Sequence, residues 1–279
     1  MKLTPHAGGV RDLVELDPDH PGFRDLAYRA RRNTIARIAF EHSSGGPVPD
    51  APYTEEEHAV WGLILRALAP AHERWVCAEL LDLQRAFPLD AEQIPQLRSV
   101  NDRLQARTGF RMEPVAGLVA ARTFLGYLGS RIFLSTQYIR HASRPLYTPE
   151  PDVVHELVGH AFTLSHPRIA ALNQALGAAA EDAAPEALRR LEQVYWYTME
   201  FGLVEERGAP RAFGAGLLSS VGELSSFATR AALAPWDLAV IARTPYDPTD
   251  YQPKLFVAPS FDRLIDDLMR WIEDGAWRV

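Results

Sequence analysis

The chain has 279 residues, with 29 Lys+Arg against 36 Asp+Glu and a formal net charge of −7. That balance lacks the basic surface needed to neutralise phosphates, which argues against a nucleic-acid partner. No apolar run approaches the ~20 residues that span a bilayer, no signal-peptide core opens the chain, and the single cysteine, Cys77, permits neither an internal disulfide nor a thiolate metal cluster. These features predict a cytoplasmic globular protein in which any metal is held by histidines and carboxylates.

Apolar residues recur at three- and four-residue intervals over 22–42, 54–85, 91–107, 153–164, 168–180, 186–204 and 260–273, which predicts helices there. Thr54-Glu55-Glu56-Glu57 supplies a capping hydroxyl and first-turn acids to the second of them. Residues 43–50 (SSGGPVPD) read as a loop, and Pro185 as a fresh helix start after the alanine-rich stretch 178–184. Strand-like segments are short: 111–115, 132–134 and 254–257. The expected fold is mainly α, with minor short β-strands, as one domain over 15–279 behind an N-terminal extension 1–14.

The segment 149–160 (PEPDVVHELVGH) departs from an ordinary amphipathic pattern. His155, Glu156 and His160 lie inside an apolar run, where an unpartnered polar group costs about 1–3 kcal/mol. A shared metal removes that cost. Yet residues five apart stand about 140° round an ideal α-helix, so one ion can take both histidines only if the helix is distorted or bulged. Glu200, within the aromatic stretch 195–203 (YWYTMEFGL), offers a third ligand. Two imidazoles and one carboxylate are the facial set of non-haem Fe(II) oxygenases. Two other readings stay open on spacing alone: core histidines bonded to backbone, and a zinc hydrolase with Glu156 as general base.

Several segments, in order along the chain, carry a resemblance: 17–23 (DPDHPGF), 28–32 (YRARR), 108–110 (TGF), 114–118 (PVAGL), 136–141 (TQYIRH), 147–152 (YTPEPD), 155–160 (HELVGH), 200–203 (EFGL) and 214–220 (GAGLLSS). Together they resemble the pterin-dependent aromatic amino acid hydroxylases. The resemblance implies that domain's catalytic fold. It also implies Fe(II) on His155, His160 and Glu200, a tetrahydropterin (tetrahydrobiopterin or a relative) as two-electron donor, and O2 as co-substrate. Pterin-side positions match Gly117, Leu118, Val119, Phe124, Glu156 and Tyr195. Arg140 matches the family's carboxylate-binding arginine. Tyr147, Thr148, Pro149, Pro151, Trp196, Phe201, Gly216 and Ser219 match its other substrate positions. Glu150 is expected to pair with an arginine of 29–32.

The reaction implied is ring hydroxylation of a free aromatic amino acid, with L-phenylalanine to L-tyrosine preferred because Trp196 fills space an indole substrate needs. Tryptophan, tyrosine or another ring position are the alternatives. Pro248, in the loop 245–252 (PYDPTDYQ), departs from the family patterns at the position that separates phenylalanine from tyrosine enzymes, and Ala121 and Leu134 depart from the common residues near the pterin. The short stretch before Leu16 and after Trp271 predicts a catalytic core without regulatory or tetramerisation segments, hence a monomer.

Overall fold

The computed structural model describes residues 13–248 and 250–278. Most of the extension expected over 1–14, and Thr249 of the loop 245–252, lie outside the described residues. Asp25 caps α1 (Leu26–Glu41) by accepting the Tyr28 amide, and Thr54 and Glu57 open α2 (Glu55–Trp75) with a reciprocal capping box. The helix expected over 54–85 is two helices. Val76 turns extended and bridges to Ala212, and the Cys77 amide donates to the Ala212 carbonyl before α3 (Ala78–Ala86) begins. Pro95 keeps the chain extended ahead of α4 (Leu97–Thr108), which shortens the helix expected from 91.

β1 (Arg111–Pro114) and β2 (Ile132–Ser135) pair in parallel, with α5 (Ala121–Gly129) as the crossover between them. α5 is absent from the sequence expectation because it is short and carries Gly126 and Gly129, poor helix formers. α6 (Pro167–Glu181) and α7 (Pro185–Tyr195) both start at proline, whose missing amide is one the first turn leaves unbonded anyway.

The helix expected over 186–204 ends early: α7 runs into a π-helical turn at Trp196–Glu200, and the chain then becomes β3 (Leu203–Glu206). β3 returns as β4 (Ala209–Ala212) through Arg207 and Gly208, both at positive φ (54° and 77°). That two-residue turn twists with the hairpin, and an arginine at the place where Asn or Asp is usual conceals it in the sequence. Then come α8 (Ala215–Ser219), α9 (Val221–Arg230), β5 (Ala232–Pro235), α10 (Leu238–Ile241), β6 (Lys254–Ala258) and α11 (Phe261–Glu273). The second sheet is ordered β4-β3-β6-β5.

One hydrophobic core joins these elements, from Trp61, Ile64 and Leu68 of α2 to Leu264, Ile265 and Leu268 of α11. At its centre α8 packs on both the Trp196–Glu200 turn and a second π-helix, His155–Ala161. Gly214 permits the approach: a Cβ there would overlap the Glu200 carbonyl and lie 2.5 Å from the Phe201 nitrogen. Gly214→Ala must therefore displace the backbone that carries Glu200. We expect a loss of about 1–3 kcal/mol from overpacking, with a matching fall in any metal held through Glu200. Thermal melting and metal analysis check this; a variant with wild-type melting and metal content would refute it.

Candidate metal centre and ligand cavity

The requirement for a distorted helix is met. His155–Ala161 is π-helical, and the wider i→i+5 turn brings residues five apart onto the same face rather than 140° apart. The second turn is of the same kind, closed by the Phe201 amide on the Trp196 carbonyl at 2.8 Å. Asp152 sets the entry to the first: its Oδ1 accepts the His155 amide at 3.2 Å.

Three ligand atoms converge as a result. His160 Nε2 stands 3.1 Å from His155 Nε2 and 3.1 Å from Glu200 Oε1, and His155 Nε2 is 3.5 Å from Glu200 Oε2. Ligands ~2.1 Å from one ion at right angles lie about 3 Å apart, so a single cation fits between them. Two imidazole nitrogens facing each other need a positive charge between them. His155 Nδ1 donates to Ser219 Oγ at 3.0 Å, and Ser219 donates on to the Ala215 carbonyl at 2.9 Å. That chain fixes the tautomer that turns Nε2 towards the metal.

Burial pushes the His155 imidazole down to about 4, against the pull of Glu200. Burial acts the same way on His160, but the Glu200 charge and hydrogen bond outweigh it and raise that imidazole. Glu200 is lowered in turn, burial being overcome by His160. Ligation requires a neutral His160 and an ionised Glu200, so a bound cation would take the place of the His160 proton.

The centre opens on a cavity of about 560 Å³, the size of a small-ligand site. Gly117, Leu118, Val119, Phe124, Glu156 and Tyr195 line one part of it. Phe124 is wedged edge-on between Phe133 and Tyr195, at 5.4 and 5.5 Å between ring centroids. Tyr147, Thr148, Pro149 and Pro151 line another part, with Trp196, Phe201 and Gly216.

Arg140 and Ser219 do not line the cavity. Arg140 is buried, its Nε and Nη2 donating to Asp152 at 2.8 and 2.7 Å, and Ser219 stands behind His155. Glu150 pairs with Arg32 as expected, both oxygens accepting from the guanidinium, and so holds the 147–152 loop to α1.

Thr136, Glu192, Ser220, Glu223, Tyr246 and Tyr251 also line the cavity, and none is singled out by the sequence reading. Thr136 is the clearest omission. Its amide (3.0 Å) and hydroxyl (2.8 Å) both donate to Glu156 Oε1, while burial pushes that carboxyl up to about 7. It stands one residue past β2, and its contact with Glu156, twenty residues on in the π-helix, has no local signature in the sequence. The Tyr195 hydroxyl is buried at the cavity with no hydrogen-bond partner among the described residues. An orphaned hydroxyl beside the Phe124 ring, with Glu156 nearby, suits a flat polar heterocycle such as a pterin.

A metal centre of two histidines and one carboxylate, opening on an apolar cavity, defines the non-haem oxygenase class of site. The comparisons make this specific. The profile of the family described as biopterin-dependent aromatic amino acid hydroxylase matches residues 10–275, and the chain belongs to that family. Phenylalanine-4-hydroxylase of Mus musculus is 46% identical over 256 residues, covering 89% of this chain and 56% of its own length. Tyrosine 3-monooxygenase of Schistosoma mansoni is 42% identical over 263 residues, covering 92% of this chain and 57% of its own. The chain thus spans little more than half the length of these relatives.

Among solved structures, Chromobacterium violaceum phenylalanine hydroxylase with bound iron(III) and 7,8-dihydrobiopterin superposes with a TM-score of 0.76 at 30% identity, covering 86% of this chain and 91% of that one. Family membership removes the zinc-hydrolase alternative. No helix among the described residues is long and apolar enough to cross a membrane.

Proposed function

We propose that this chain is an iron- and tetrahydropterin-dependent monooxygenase that converts L-phenylalanine to L-tyrosine, with residues 15–279 as its catalytic domain. The observation that carries the reading is that the His155–His160–Glu200 centre opens on one cavity whose lining holds both Phe124 and the aromatic group Trp196, Phe201 and Tyr246. Trp196 stacks on Tyr246 (4.2 Å, 12°) and leans on Phe201 at 4.7 Å, and this bulky wall favours a six-membered ring over an indole. Pro248, which also lines the cavity, offers no donor or acceptor for a ring hydroxyl, and this favours phenylalanine over tyrosine.

When bound, the iron and the reduced pterin supply the activation of dioxygen that hydroxylating an aromatic ring demands. His155, His160 and Glu200 would hold the metal where the centre opens on the cavity. Glu156, with Oε1 anchored by Thr136, would offer its other oxygen to a polar edge of the pterin. Arg140 does not itself line the cavity, and its Nη1, the guanidinium nitrogen not bonded to Asp152, is assigned the substrate carboxylate on the family match. The apolar walls exclude bulk water from the reacting ring.

Incubation with Fe(II), tetrahydrobiopterin, O2 and each aromatic amino acid tests the proposal. Tyrosine from phenylalanine is the expected main product, with no turnover by the zinc-loaded protein. Faster formation of a catechol from tyrosine, or no pterin-dependent product at all, would overturn it.

A further inference from the structure

A free amino acid brings an ammonium to the cavity as well as a carboxylate, and Arg140 can answer only the second. Among the described residues the cavity lining holds no lysine or arginine, but it holds Glu150, Glu156, Glu192, Glu200, Glu223 and Asp250. Most of these carboxylates are committed elsewhere. Glu150 pairs with Arg32, Glu156 is held by Thr136, and Glu200 belongs to the metal centre. Asp250 is exposed and accepts its neighbour's amide. Glu192 lies one turn before Tyr195, in the field of Arg122 from α5, on the Phe124 side.

Glu223 is different. It stands in the first turn of α9, its amide donating to Ser220 Oγ at 3.3 Å, and Ser220 itself lines the cavity. The residue is only 7% exposed. Oε1 accepts the Gln252 amide at 2.8 Å, and Oε2 accepts no hydrogen bond from a described residue. Gln252 Oε1 in turn accepts the Trp196 indole N–H at 2.9 Å. One glutamine therefore locks the free carboxylate oxygen in place relative to the Trp196 wall. Gln252 Nε2 completes the lock on the Asp247 and Asp250 carbonyls, at 2.8 and 3.0 Å.

We propose that Glu223 Oε2 receives the α-ammonium of the amino acid substrate, making Glu223 a substrate-binding residue opposite in charge to Arg140. The inference rests on the amino acid substrate proposed above. Burial pushes the Glu223 carboxyl up to about 7, and an ammonium seated against it favours the ionised form.

Glu223→Gln is the informative variant, because the amide oxygen still accepts from Gln252 while the charge is gone. The iron-loaded protein is titrated calorimetrically, under argon, with L-phenylalanine and with 3-phenylpropanoate, the same molecule without its amine. Loss of a charge-assisted hydrogen bond is expected to weaken L-phenylalanine by roughly 10- to 100-fold and to change 3-phenylpropanoate far less. KM for phenylalanine should rise more than kcat falls. Glu223→Asp, which keeps the charge, should retain a preference for the amine-bearing ligand even where Glu223→Gln is too unstable to titrate.

Equal weakening of both ligands would reduce Glu223 to an anchor for Gln252 and overturn the inference, as would unchanged phenylalanine affinity. A wild-type protein that binds neither ligand would instead overturn the amino acid substrate itself.

Discussion

Glu200→Ala is expected to bring bound iron from one per chain to near zero and to take pterin-dependent turnover below detection, with the fold retained. The residue supplies the only carboxylate of the centre, and two imidazoles alone leave the cation under-coordinated and its charge uncompensated. His160 loses the partner that raises its imidazole, so burial leaves it neutral, and no charge is stranded in the core. Ser219→Ala calibrates the result. Ser219 touches no metal position, and removing it only frees the His155 ring, so it should cost roughly 10- to 100-fold in metal affinity. Metal analysis after dialysis and far-UV circular dichroism separate the cases. Glu200→Ala that retains iron at the Ser219→Ala level would remove Glu200 from the ligand set.

The ligands were legible because their chemistry clashes with their surroundings. His155, His160 and Glu200 are ionisable groups in apolar runs, and the five-residue spacing of the histidines already demanded a wider helical turn than the α-helix gives. The π-helix is the answer to that demand, but no propensity marks its start, so the sequence shows the need without the means. The second π-helical turn, Trp196–Glu200, hides inside continuous helical periodicity and ends in a strand that local pattern does not announce.

Arg140 shows a different limit. A motif assigns it a partner in the substrate, whereas its nearest partner is Asp152, twelve residues on and brought to it by the turn into the π-helix. Thr136, Glu223 and Gln252 escaped notice because they act through hydrogen bonds across 20, 29 or 56 residues of chain, which no periodicity records.

Asp152→Ala is expected to be the most destabilising single change in the site region. Asp152 is fully buried and accepts four hydrogen bonds: three from Arg140, through its amide, Nε and Nη2, and one from the His155 amide. Burial alone would raise its carboxyl, but the Arg140 charge and these bonds hold it below its ordinary value. Removing it strands a guanidinium in the core, a loss of about 3–5 kcal/mol, and also loosens the first turn that carries His155.

The lowered carboxyl fixes the pH dependence. Its contribution is whole above the unfolded value of 3.8 and is lost as pH falls through the lower folded value, so the wild type and Asp152→Ala should differ fully at neutral pH and converge only in strong acid. Denaturant melts at pH 7 and near pH 3 check both the size and the sign. The double variant Arg140→Met with Asp152→Leu separates stability from function. An apolar pair of similar volume should recover most of the lost stability, because no charge is left uncompensated. It should not recover the KM for phenylalanine, since no guanidinium remains to meet the carboxylate. If the double variant regained a wild-type KM, Arg140 would serve the fold alone and the substrate carboxylate would bind elsewhere.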